Sequence, residues 1–563
     1  MDNRKKKLPI GIDDFEKLRE DNFYYVDKTE MIRELISNWS EVTLFTRPRR
    51  FGKSLNMSML KSFFSIEGRK DIFQGLNIAN QTEICEEYMG KYPVIFISLK
   101  GLDASATYEN AKESMVLLMN DAAGKAQYLQ KSDRLTEYDK EIYRKLLQDD
   151  MSEAQLFSSL RKLSELLQKH FQKKVIILID EYDVPLAKAF EFGYYDEMTN
   201  LIRGILGQAL KSNYSLQFAV MTGCMRIAKE SIFTGLNNLK VRSVTDVRFD
   251  EYFGFTDDEV KSMLEYYGCA DRYETVKEWY DGYRFGNVDV YCPWDVLNFC
   301  DALQDNPNSA PQNYWINTSS NDAVRKFIQC SDNQTTKREI ERLIAGEEIP
   351  KEIHQELTYK DMYKDIEYIW SVLFTTGYLT QRGVAKGNIL RLAIPNMEIR
   401  NIFTTQIMDL FKEKVKQDGK RLNEFCNALE MGNAEKVQQC FNDYLKKTIS
   451  IRDTFVRKEL KENFYHGMLL GILGVKENWT VSSNRETGDG YSDIVIETED
   501  GAMGIIMEVK YAHDENLEQS CKEALQQIEV RQYEEELKNQ GIDYIKKYGI
   551  ACYLKKCRVM IKM

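Results

Sequence analysis

The sequence predicts an α/β protein with a parallel sheet flanked by helices in its N-terminal part, a helical middle region, and a C-terminal α/β domain. Apolar runs at residues 42–45, 92–99, 175–179 and 216–222 are typical of strands buried on both faces of a parallel sheet. Residues 105–171 carry apolar side chains at helical spacing with almost no Gly or Pro, and residues 397–450 are helical again. Three short strands are predicted near the C-terminus, at 479–483, 491–498 and 504–510.

Residues 43–60, TLFTRPRRFGKSLNMSML, join the first predicted strand to a predicted helix through a loop rich in Arg, Pro and Gly. A Gly-Lys-Ser triplet at such a junction offers backbone N–H groups and the positive end of a helix dipole to a phosphate. We expect Lys53 to reach the β- and γ-phosphates of a nucleotide and Ser54 to hold Mg²⁺. Arg47 departs from the general pattern, which has Gly five residues before Gly52.

A second stretch, VIILIDEYD at residues 175–183, runs from an apolar strand into acidic residues. Ligands of a parallel sheet bind at the carboxyl ends of its strands, where Asp180 and Glu181 would lie. Asp180 is then placed to bind Mg²⁺ and Glu181 to polarise the water that attacks the γ-phosphate. The alternative is a buried strand with ordinary acidic residues at its exit.

The strand at 216–222 ends in a further candidate pair. A polar residue at this exit can sense the γ-phosphate, which makes Thr222 a candidate and Arg226 another. Two alternatives stay open, since Thr222 could simply terminate the strand and Arg226 could pair with an acid. The aromatic stretch from 250 to 310 is interpreted as core packing, and residues 301–312 as a boundary or exposed loop.

Composition limits the classes of protein. With 563 residues and 43% hydrophobic side chains, the chain can build cores for three or four domains. Its 77 Lys and Arg against 88 Asp and Glu give a net charge of −11, which argues against broad nonspecific attraction to nucleic acid or acidic membranes. The 11 Cys are scattered, so neither a zinc site nor a disulfide framework is indicated. We expect a cytoplasmic protein with neither an export signal nor a membrane span.

The C-terminal strands indicate a second chemistry. Asp500-Gly501 is a strong type I′ turn signal, and a two-residue turn there puts Asp493 directly opposite Glu508 with Lys510 on the same face. Facing acids repel unless a divalent cation lies between them, so the pair predicts a Mg²⁺ or Mn²⁺ site that activates water. Lys510 would orient that water or stabilise charge on phosphate. An exposed sheet face with ordinary charges is the alternative.

The motifs TRPRRFGKS, ILIDEYD, WYDGYRFG, YWINTSSN, YHGMLLGIL and NRETGDGYSDI with MEVK resemble the bacterial family that joins an AAA-ATPase-like domain to a C-terminal PD-(D/E)XK nuclease domain. The resemblance spans nearly the whole chain. It implies a P-loop NTPase domain (1–250), a helical lid or connector with a small mixed α/β unit (251–450) and a restriction-endonuclease-like domain (451–563). In that family the phosphate loop itself reads Arg-Pro-Arg-Arg-Phe-Gly-Lys.

Carried over by position, the resemblance implies ATP with Mg²⁺ in the first domain and Mg²⁺ or Mn²⁺ in the last. The nucleotide-binding residues are Arg49, Arg50, Phe51, Gly52, Lys53 and Ser54, with Asp180 and Glu181 as the second acidic motif. The nuclease signature is Asp493, Glu508 and Lys510. Glu462 best matches the helical acid and metal ligand of such nucleases, Glu486 is the alternative, and Gln527 resembles their fourth motif. Tyr491 stands where the family often has Arg.

Two functions from different classes stay open. In the first, ATP binding or hydrolysis licenses a metal-dependent nuclease acting on nucleic acid, with DNA preferred, in defence or mobile-element processing. In the second, the chain is an NTP-driven switch whose nuclease fold only binds nucleic acid or a protein. Residues 455–563 hold 15 Lys and Arg against 19 Asp and Glu, so no basic stripe is evident, but the retained signature favours the enzyme.

The phosphate loop also suggests a homo-oligomer as a partner. Arg47, Arg49 and Arg50 carry more positive charge than a triphosphate needs. We expect at least one of them to face a neighbouring subunit or the helical region, with a solvated basic loop as the alternative.

Overall fold

A computed structural model of the protein describes residues 5–38, 40–226, 238–315, 322–330, 334–362, 364–383, 386–447, 458–474, 476, 478–483, 493–498, 501–512, 516–530, 534, 537–538 and 541–562. The chain divides into two compact units, unit 1 (Met1–Ser320 and Pro350–Glu398) and unit 2 (Asn321–Ile349 and Ile399–Met563). The predicted middle region 251–450 therefore contributes residues to both units. The domain boundaries predicted at residues 250 and 450 are not tested by this division and stay predictions.

Unit 1 is built on a five-stranded sheet whose described pairings are all parallel, in the order β2-β3-β4-β1-β5. The strands are β1 (Val42–Thr46), β2 (Val94–Ser98), β3 (Val175–Asp180), β4 (Leu216–Gly223) and β5 (Leu239–Arg242). The predicted parallel sheet is confirmed, and β3 is buried along its whole length as its apolar run indicated. The edge strand β5 was not predicted, because its four residues include Lys240 and Arg242 and form no apolar run.

Helices cover this sheet, with α3, α7 and α9 packed on its strands. They are α1 (Phe15–Glu20), α2 (Glu30–Ser37), α3 (Lys53–Phe64), α4 (Thr82–Tyr88), α5 (Tyr108–Gly124), α6 (Glu137–Leu146), α7 (Glu153–Phe171), α8 (Val184–Phe192), α9 (Tyr195–Leu210), α10 (Asp257–Tyr267), α11 (Tyr273–Tyr280) and α12 (Pro293–Asp305). The predicted helical insert at 105–171 is confirmed as α5 to α7. Capping boxes at Thr136 and Ser152 start α6 and α7, because each hydroxyl satisfies a backbone N–H that has no partner within its helix.

A small mixed region completes unit 1. The hairpin of β6 (Tyr283–Phe285) and β7 (Val288–Val290) lies in the aromatic stretch. A second small sheet has the order β8-β10-β9, formed by β8 (Ile349–Glu352), β9 (Thr380–Gln381) and β10 (Ile389–Ala393), with α15 (Ile366–Thr376) between β8 and β9 in the chain. The mixed unit predicted around 370–394 is thus present.

Unit 2 carries a mixed five-stranded sheet in the order β11-β12-β13-β14-β15. Its strands are β11 (Trp479–Ser483), β12 (Asp493–Thr498), β13 (Gly504–Tyr511), β14 (Ile545–Tyr553) and β15 (Lys556–Lys562). Its helices are α13 (Asp322–Cys330), α14 (Gln334–Ile344), α16 (Met397–Gln417, which begins in unit 1), α17 (Gly419–Met431), α18 (Ala434–Lys447), α19 (Lys458–Leu473) and α20 (Leu517–Val530). The first three strands confirm the prediction, whereas β14 and β15 were missed. Within the described residues, no helix has the length and apolar character needed to cross a bilayer.

Candidate functional site

The phosphate loop links the carboxyl end of β1 to the start of α3. Gly52 is the N-cap of α3 with φ of 78°, and Arg50 has φ of 70°. Left-handed residues in a loop before a helix form the concave arrays of backbone N–H groups that bind anions. No atom lies within 4 Å of where a Cβ on Gly52 would stand, so the space at the helix start is open. The backbone therefore has the shape that the Gly-Lys-Ser triplet predicted.

Lys53 begins α3 and is held by the loop itself. Its Nζ donates to the carbonyl oxygens of Arg47 at 3.1 Å and Pro48 at 3.0 Å, and the side chain is almost completely buried. Its third described acceptor is the Sγ of Cys224 at 3.7 Å, so no described carboxylate is hydrogen-bonded to this ammonium group. A phosphate would replace these neutral acceptors with a charged one, so that both donor and acceptor of the hydrogen bond are ionised.

Asp180 joins the ends of three neighbouring segments. Its Oδ2 accepts a hydrogen bond from Ser54 Oγ at 2.6 Å, and its Oδ1 accepts one from Thr222 Oγ1. The two acceptors thus connect the first turn of α3 to the end of β4. A hydroxyl beside a carboxylate is an oxygen set that suits Mg²⁺, so Ser54 and Asp180 fit the predicted metal position. Thr222 contacts Asp180 directly and holds its carboxylate in place.

Glu181 is the next residue, and its backbone is left-handed with φ of 53°. This conformation is uncommon for a residue with a side chain and is often found at functional sites. Its backbone N–H donates to Thr222 Oγ1 at 3.3 Å, and its side chain lines the same cavity as Lys53 and Ser54. Burial raises the pKa of the Glu181 carboxyl above its ordinary value, although the charge of Lys53 opposes this. A raised pKa suits a group that takes a proton from water.

Asp183 is a site residue that the sequence analysis did not single out. Its buried carboxylate accepts hydrogen bonds from the backbone N–H groups of Cys224 at 2.8 Å and Met225 at 3.0 Å. Burial raises its pKa, with Lys53 and these two hydrogen bonds acting in the opposite direction. The available signal was the second Asp of the ILIDEYD motif. Asp183 fixes the chain immediately after β4, next to Thr222.

The three arginines of the loop have different environments. Arg47 is fully buried, where it donates to the carbonyls of Thr46, Arg242 and Phe249 and lies over the rings of Phe253 and Phe285. Burial lowers the pKa of Arg47 to about 10. Arg47 therefore faces the interior of unit 1, where Phe253 and Phe285 belong to the predicted region 251–450. A neighbouring subunit stays a prediction.

Arg49 and Arg50 line the cavity in front of the loop. The Arg50 guanidinium lies 4.1 Å from the ring centre of Trp294. Phe51 is fully buried and packs its ring against Tyr283 and Phe285. Of the predicted loop residues, Phe51 can therefore offer its backbone to a ligand, whereas its side chain belongs to the core.

The cavity has a volume of about 540 Å³ and joins the phosphate loop to an aromatic wall. Gly52, Lys53, Ser54 and Glu181 lie on one side. The rings that line it come from the start of the chain and from the aromatic stretch, namely Tyr24, Tyr25, Tyr252, Phe255 and Trp294. The interpretation of this stretch as packing alone was therefore incomplete. The high density of aromatic residues was the signal in the sequence for such a wall. Their nearness to residues 49–56 depends on tertiary contacts between distant parts of the chain, which the local sequence does not reveal.

Arg226 lies away from this group. It does not line the cavity, and its guanidinium forms an ion pair with Glu356 at 2.8 Å. Pairing with an acid was the alternative left open for this residue. Its role toward a nucleotide stays a prediction.

The second site lies in unit 2, on the hairpin of β12 and β13. The Cα positions of Asp493 and Glu508 are cross-strand partners, so the predicted register is confirmed. Gly501 has φ of 64°, and its backbone N–H donates to the Thr498 carbonyl at 2.8 Å. The two-residue turn at Asp500-Gly501 stays a prediction, because the described hydrogen bonds do not show it and Asp500 lies outside the described residues. The side chain of Asp493 is also outside them, as are Glu486 and Tyr491. Register alone puts position 493 next to Glu508.

Glu508 is a completely buried carboxylate. Lys510 Nζ lies 3.1 Å from its Oε1, but neither Glu508 oxygen receives a well-directed hydrogen bond from a described donor. A buried carboxylate without hydrogen bonds is costly unless a cation compensates it. Lys510 supplies one positive charge here, and the unfilled acceptor oxygens of this buried carboxylate also fit a divalent cation. No group of three or more Asp, Glu, His or Cys side chains able to hold one is found among the described residues.

Two helices bring further predicted residues to this sheet. Glu462, on α19, accepts a hydrogen bond at 3.1 Å from the backbone N–H of Tyr511, the residue after Lys510. Its carboxylate therefore lies at the end of β13 that carries Lys510, as a helical acid should. Gln527 lies on α20, the helix that packs on β13 and β14, and its side chain is partly exposed. Among the contacts of the described residues, none joins Gln527 to Glu508, so its role stays a prediction.

Comparison with known proteins finds relatives of limited similarity. An uncharacterised protein encoded in the vnfD 5′ region of Azotobacter chroococcum mcd 1 is 28% identical over 408 residues, covering 70% of this chain and 69% of that protein. A solved structure, the Aeropyrum pernix ORC1 protein in complex with DNA, matches 69% of this chain and 91% of its own, with 10% identity and a TM-score of 0.24.

Matches to protein families are more informative. Residues 9–233 match the family described as a predicted AAA-ATPase. This matched segment contains the phosphate loop, Asp180, Glu181 and Thr222. Residues 460–562 match the PD-(D/E)XK nuclease superfamily, which contains Glu462, Asp493, Glu508 and Lys510. The chain therefore joins a domain of the predicted AAA-ATPase family to a C-terminal domain of the PD-(D/E)XK nuclease superfamily.

Proposed function

We propose that unit 1 binds ATP with Mg²⁺ and hydrolyses it. The observation that carries this proposal is the contact of Asp180 with both Ser54 and Thr222, beside the cavity that Lys53 and Glu181 line. Lys53 and the loop backbone bind the phosphates, and Ser54 and Asp180 hold the cation. Bound Mg²⁺ supplies neutralising charge on the phosphate oxygens. Glu181 accepts a proton from the attacking water.

Two variants separate binding from hydrolysis. Lys53→Ala should abolish ATP binding, because it removes the phosphate-facing charge. Glu181→Gln should keep the affinity and slow hydrolysis by about 10² to 10⁴-fold, since an amide cannot act as a base. Titration calorimetry with Mg²⁺-ATP and a phosphate-release assay measure the two effects. Lys61→Ala on the same helix and the exposed Glu191→Gln are the matched controls, and equal affinity in wild type and Lys53→Ala would refute the proposal.

For unit 2 we propose a metal-dependent nuclease that cleaves nucleic acid, with DNA as the preferred substrate. Its support is the buried Glu508 paired with Lys510, opposite position 493 and close to the strand end that Glu462 contacts. Asp493, Glu508 and Glu462 would hold Mg²⁺ or Mn²⁺, which when bound would supply the charge that lowers the pKa of a water molecule. Lys510 orients the water or stabilises charge that develops on the phosphate.

Cleavage assays on single- and double-stranded DNA and RNA test this activity. Cleavage should require Mg²⁺ or Mn²⁺ and should be lost in Asp493→Asn, Glu508→Gln and Lys510→Ala. The losses should not add, because residues that act as one unit fail together. The exposed Glu518→Gln and Lys522→Ala, both on α20, control for charge changes elsewhere in the domain. Full activity of Asp493→Asn would remove the nuclease proposal.

The two activities together suggest a nuclease that ATP licenses, acting on foreign or mobile DNA. The assays above, repeated with and without ATP, test the licensing. Cleavage that depends on both ATP and Lys53 is the expected result. ATP binding without cleavage of any nucleic acid would instead favour an NTP-driven switch whose C-terminal domain only binds nucleic acid or a protein.

A further inference from the structure

Two carboxyl groups are buried together behind the phosphate loop. Asp295, in the first turn of α12, is 1% exposed, and Glu398, in the first turn of α16, is 0% exposed. Glu398 Oε1 accepts a hydrogen bond from the backbone N–H of Trp315 at 2.6 Å. Both residues belong to unit 1, and neither lines the nucleotide cavity.

Hydrogen-bond accounting favours a pair that keeps one proton. With both carboxyls counted as acceptors, neither oxygen of Asp295 nor Oε2 of Glu398 receives a well-directed hydrogen bond from a described donor. Two buried negative charges side by side would also repel. If one carboxyl keeps its proton, it donates to the other, and both problems are removed. Burial raises the pKa of each carboxyl, in agreement with a retained proton.

The groups that face the pair come from several segments. Arg50 is the cation that acts on Asp295, and the thiol of Cys292 lies beside it. The phenols of Tyr280, Tyr283 and Tyr314 complete the titratable surroundings. Burial raises the pKa of Cys292 and of all three tyrosines, so these groups stay neutral over the physiological range. The carboxyl pair is therefore the group in this cluster that changes charge.

Neighbours of the pair hold two successive carbonyls of the phosphate loop. Trp315, whose backbone Glu398 binds, donates its Nε1 to the carbonyl of Arg49 in a long contact of 3.5 Å. Cys292, the N-cap of the helix that carries Asp295, approaches the carbonyl of Arg50 with its Sγ at 3.8 Å. Each contact is weak, but together they fix the direction of the peptide groups that lead to Gly52.

We propose that Asp295 and Glu398 are positioning residues of the phosphate loop, which share one proton and through Trp315 and Cys292 hold the carbonyls of Arg49 and Arg50. This inference rests on the proposed nucleotide site. Loss of the shared proton as the pH rises separates the two carboxylates and releases the loop. Nucleotide affinity then falls with rising pH through groups that never touch the nucleotide.

Binding of the non-hydrolysable analogue AMP-PNP with Mg²⁺ to the full chain tests the proposal. Glu398→Ala should weaken binding about tenfold, within the range usual for coupled sites. Glu398→Gln should bind like the wild type near neutral pH, because its amide donates to Asp295 and its oxygen still accepts from Trp315. Glu352→Gln, an exposed change in the same unit, should behave like the wild type.

The pH profile separates positioning from a merely structural role. As the pH rises from neutral toward about 10, where the pKa of Glu398 lies, the wild type should lose affinity more steeply than Glu398→Gln, whose amide donor does not titrate. Identical slopes would overturn the proposal even if Glu398→Ala fails to fold. If a folded Glu398→Ala binds AMP-PNP as tightly as the wild type, the positioning proposal is wrong but the nucleotide site stands. If the wild type does not bind AMP-PNP, the proposed nucleotide site is wrong as well.

Discussion

Asp183 shows how a single carboxylate organises a strand end. It accepts hydrogen bonds from the backbone N–H groups of Cys224 and Met225, about 40 residues further along the chain. No local pattern reveals such a contact, because the partners are backbone atoms that any sequence provides. Arg47 is similar, since its three acceptors are also backbone carbonyls. The sequence identifies both residues as charged, but not as buried.

We expect Asp183→Ala to lower the free energy of unfolding by about 1 to 3 kcal/mol, because two buried N–H groups lose their acceptor. Asp183→Asn should cost less, since its amide oxygen can still accept. Urea denaturation of the full chain measures both. Equal stability of Ala and Asn variants would show that these hydrogen bonds contribute little.

The same residue predicts a pH effect with a defined sign. Burial raises the folded-state pKa of Asp183 above its unfolded value, so the folded state binds the proton more tightly. Its contribution to stability is complete below about pH 4, the ordinary range of Asp, and is lost as the pH rises through the folded-state pKa. From pH 4 to 7 the wild type should therefore lose stability relative to Asp183→Asn. A constant difference over this range would contradict the raised pKa.

At the scale of elements, the hairpin of β12 and β13 could be predicted because its information is local. A turn signal between the strands and alternation of period two were enough to predict which residues face each other. The apolar runs of β1 to β4 are local for the same reason. Strands β14 and β15 were missed, although β14 is the parallel neighbour of β13, because that pairing joins segments separated by α20. Which residues of the aromatic stretch reach the phosphate loop is likewise decided by tertiary contacts.

The register also predicts a separation of stability from activity. Asp493→Asn removes one of two acids on directly opposed positions, and like charges in that arrangement destabilise a sheet. Without metal, the free energy of unfolding of this variant should exceed that of the wild type by up to ~1 kcal/mol. Its cleavage activity should be lost. Thermal unfolding in EDTA, paired with the cleavage assay, measures the two effects. Lower metal-free stability in Asp493→Asn would show that the opposed carboxyls do not repel.

At the scale of the whole molecule, the connection between the two units predicts a response to nucleotide. Residues 321–349 belong to unit 2, whereas 350–398 belong to unit 1, so the chain passes between them more than once in this stretch. If ATP licenses the nuclease, ATP should change the protease sensitivity of residues 300–450 or the sedimentation of the protein. Lys53→Ala should remove the change. If ATP changes neither the digestion pattern nor the sedimentation of the wild type, the proposed coupling between nucleotide binding and the nuclease domain would be contradicted.

The three passages of the chain between the units also limit how the gene can be divided. A fragment that ends at residue 320 lacks 350–398, and one that begins at 399 lacks 321–349, so neither contains a whole unit. One cut in the chain therefore cannot separate unit 2 intact from an intact unit 1. A fragment meant to hold either unit whole must therefore combine two separate segments of the chain.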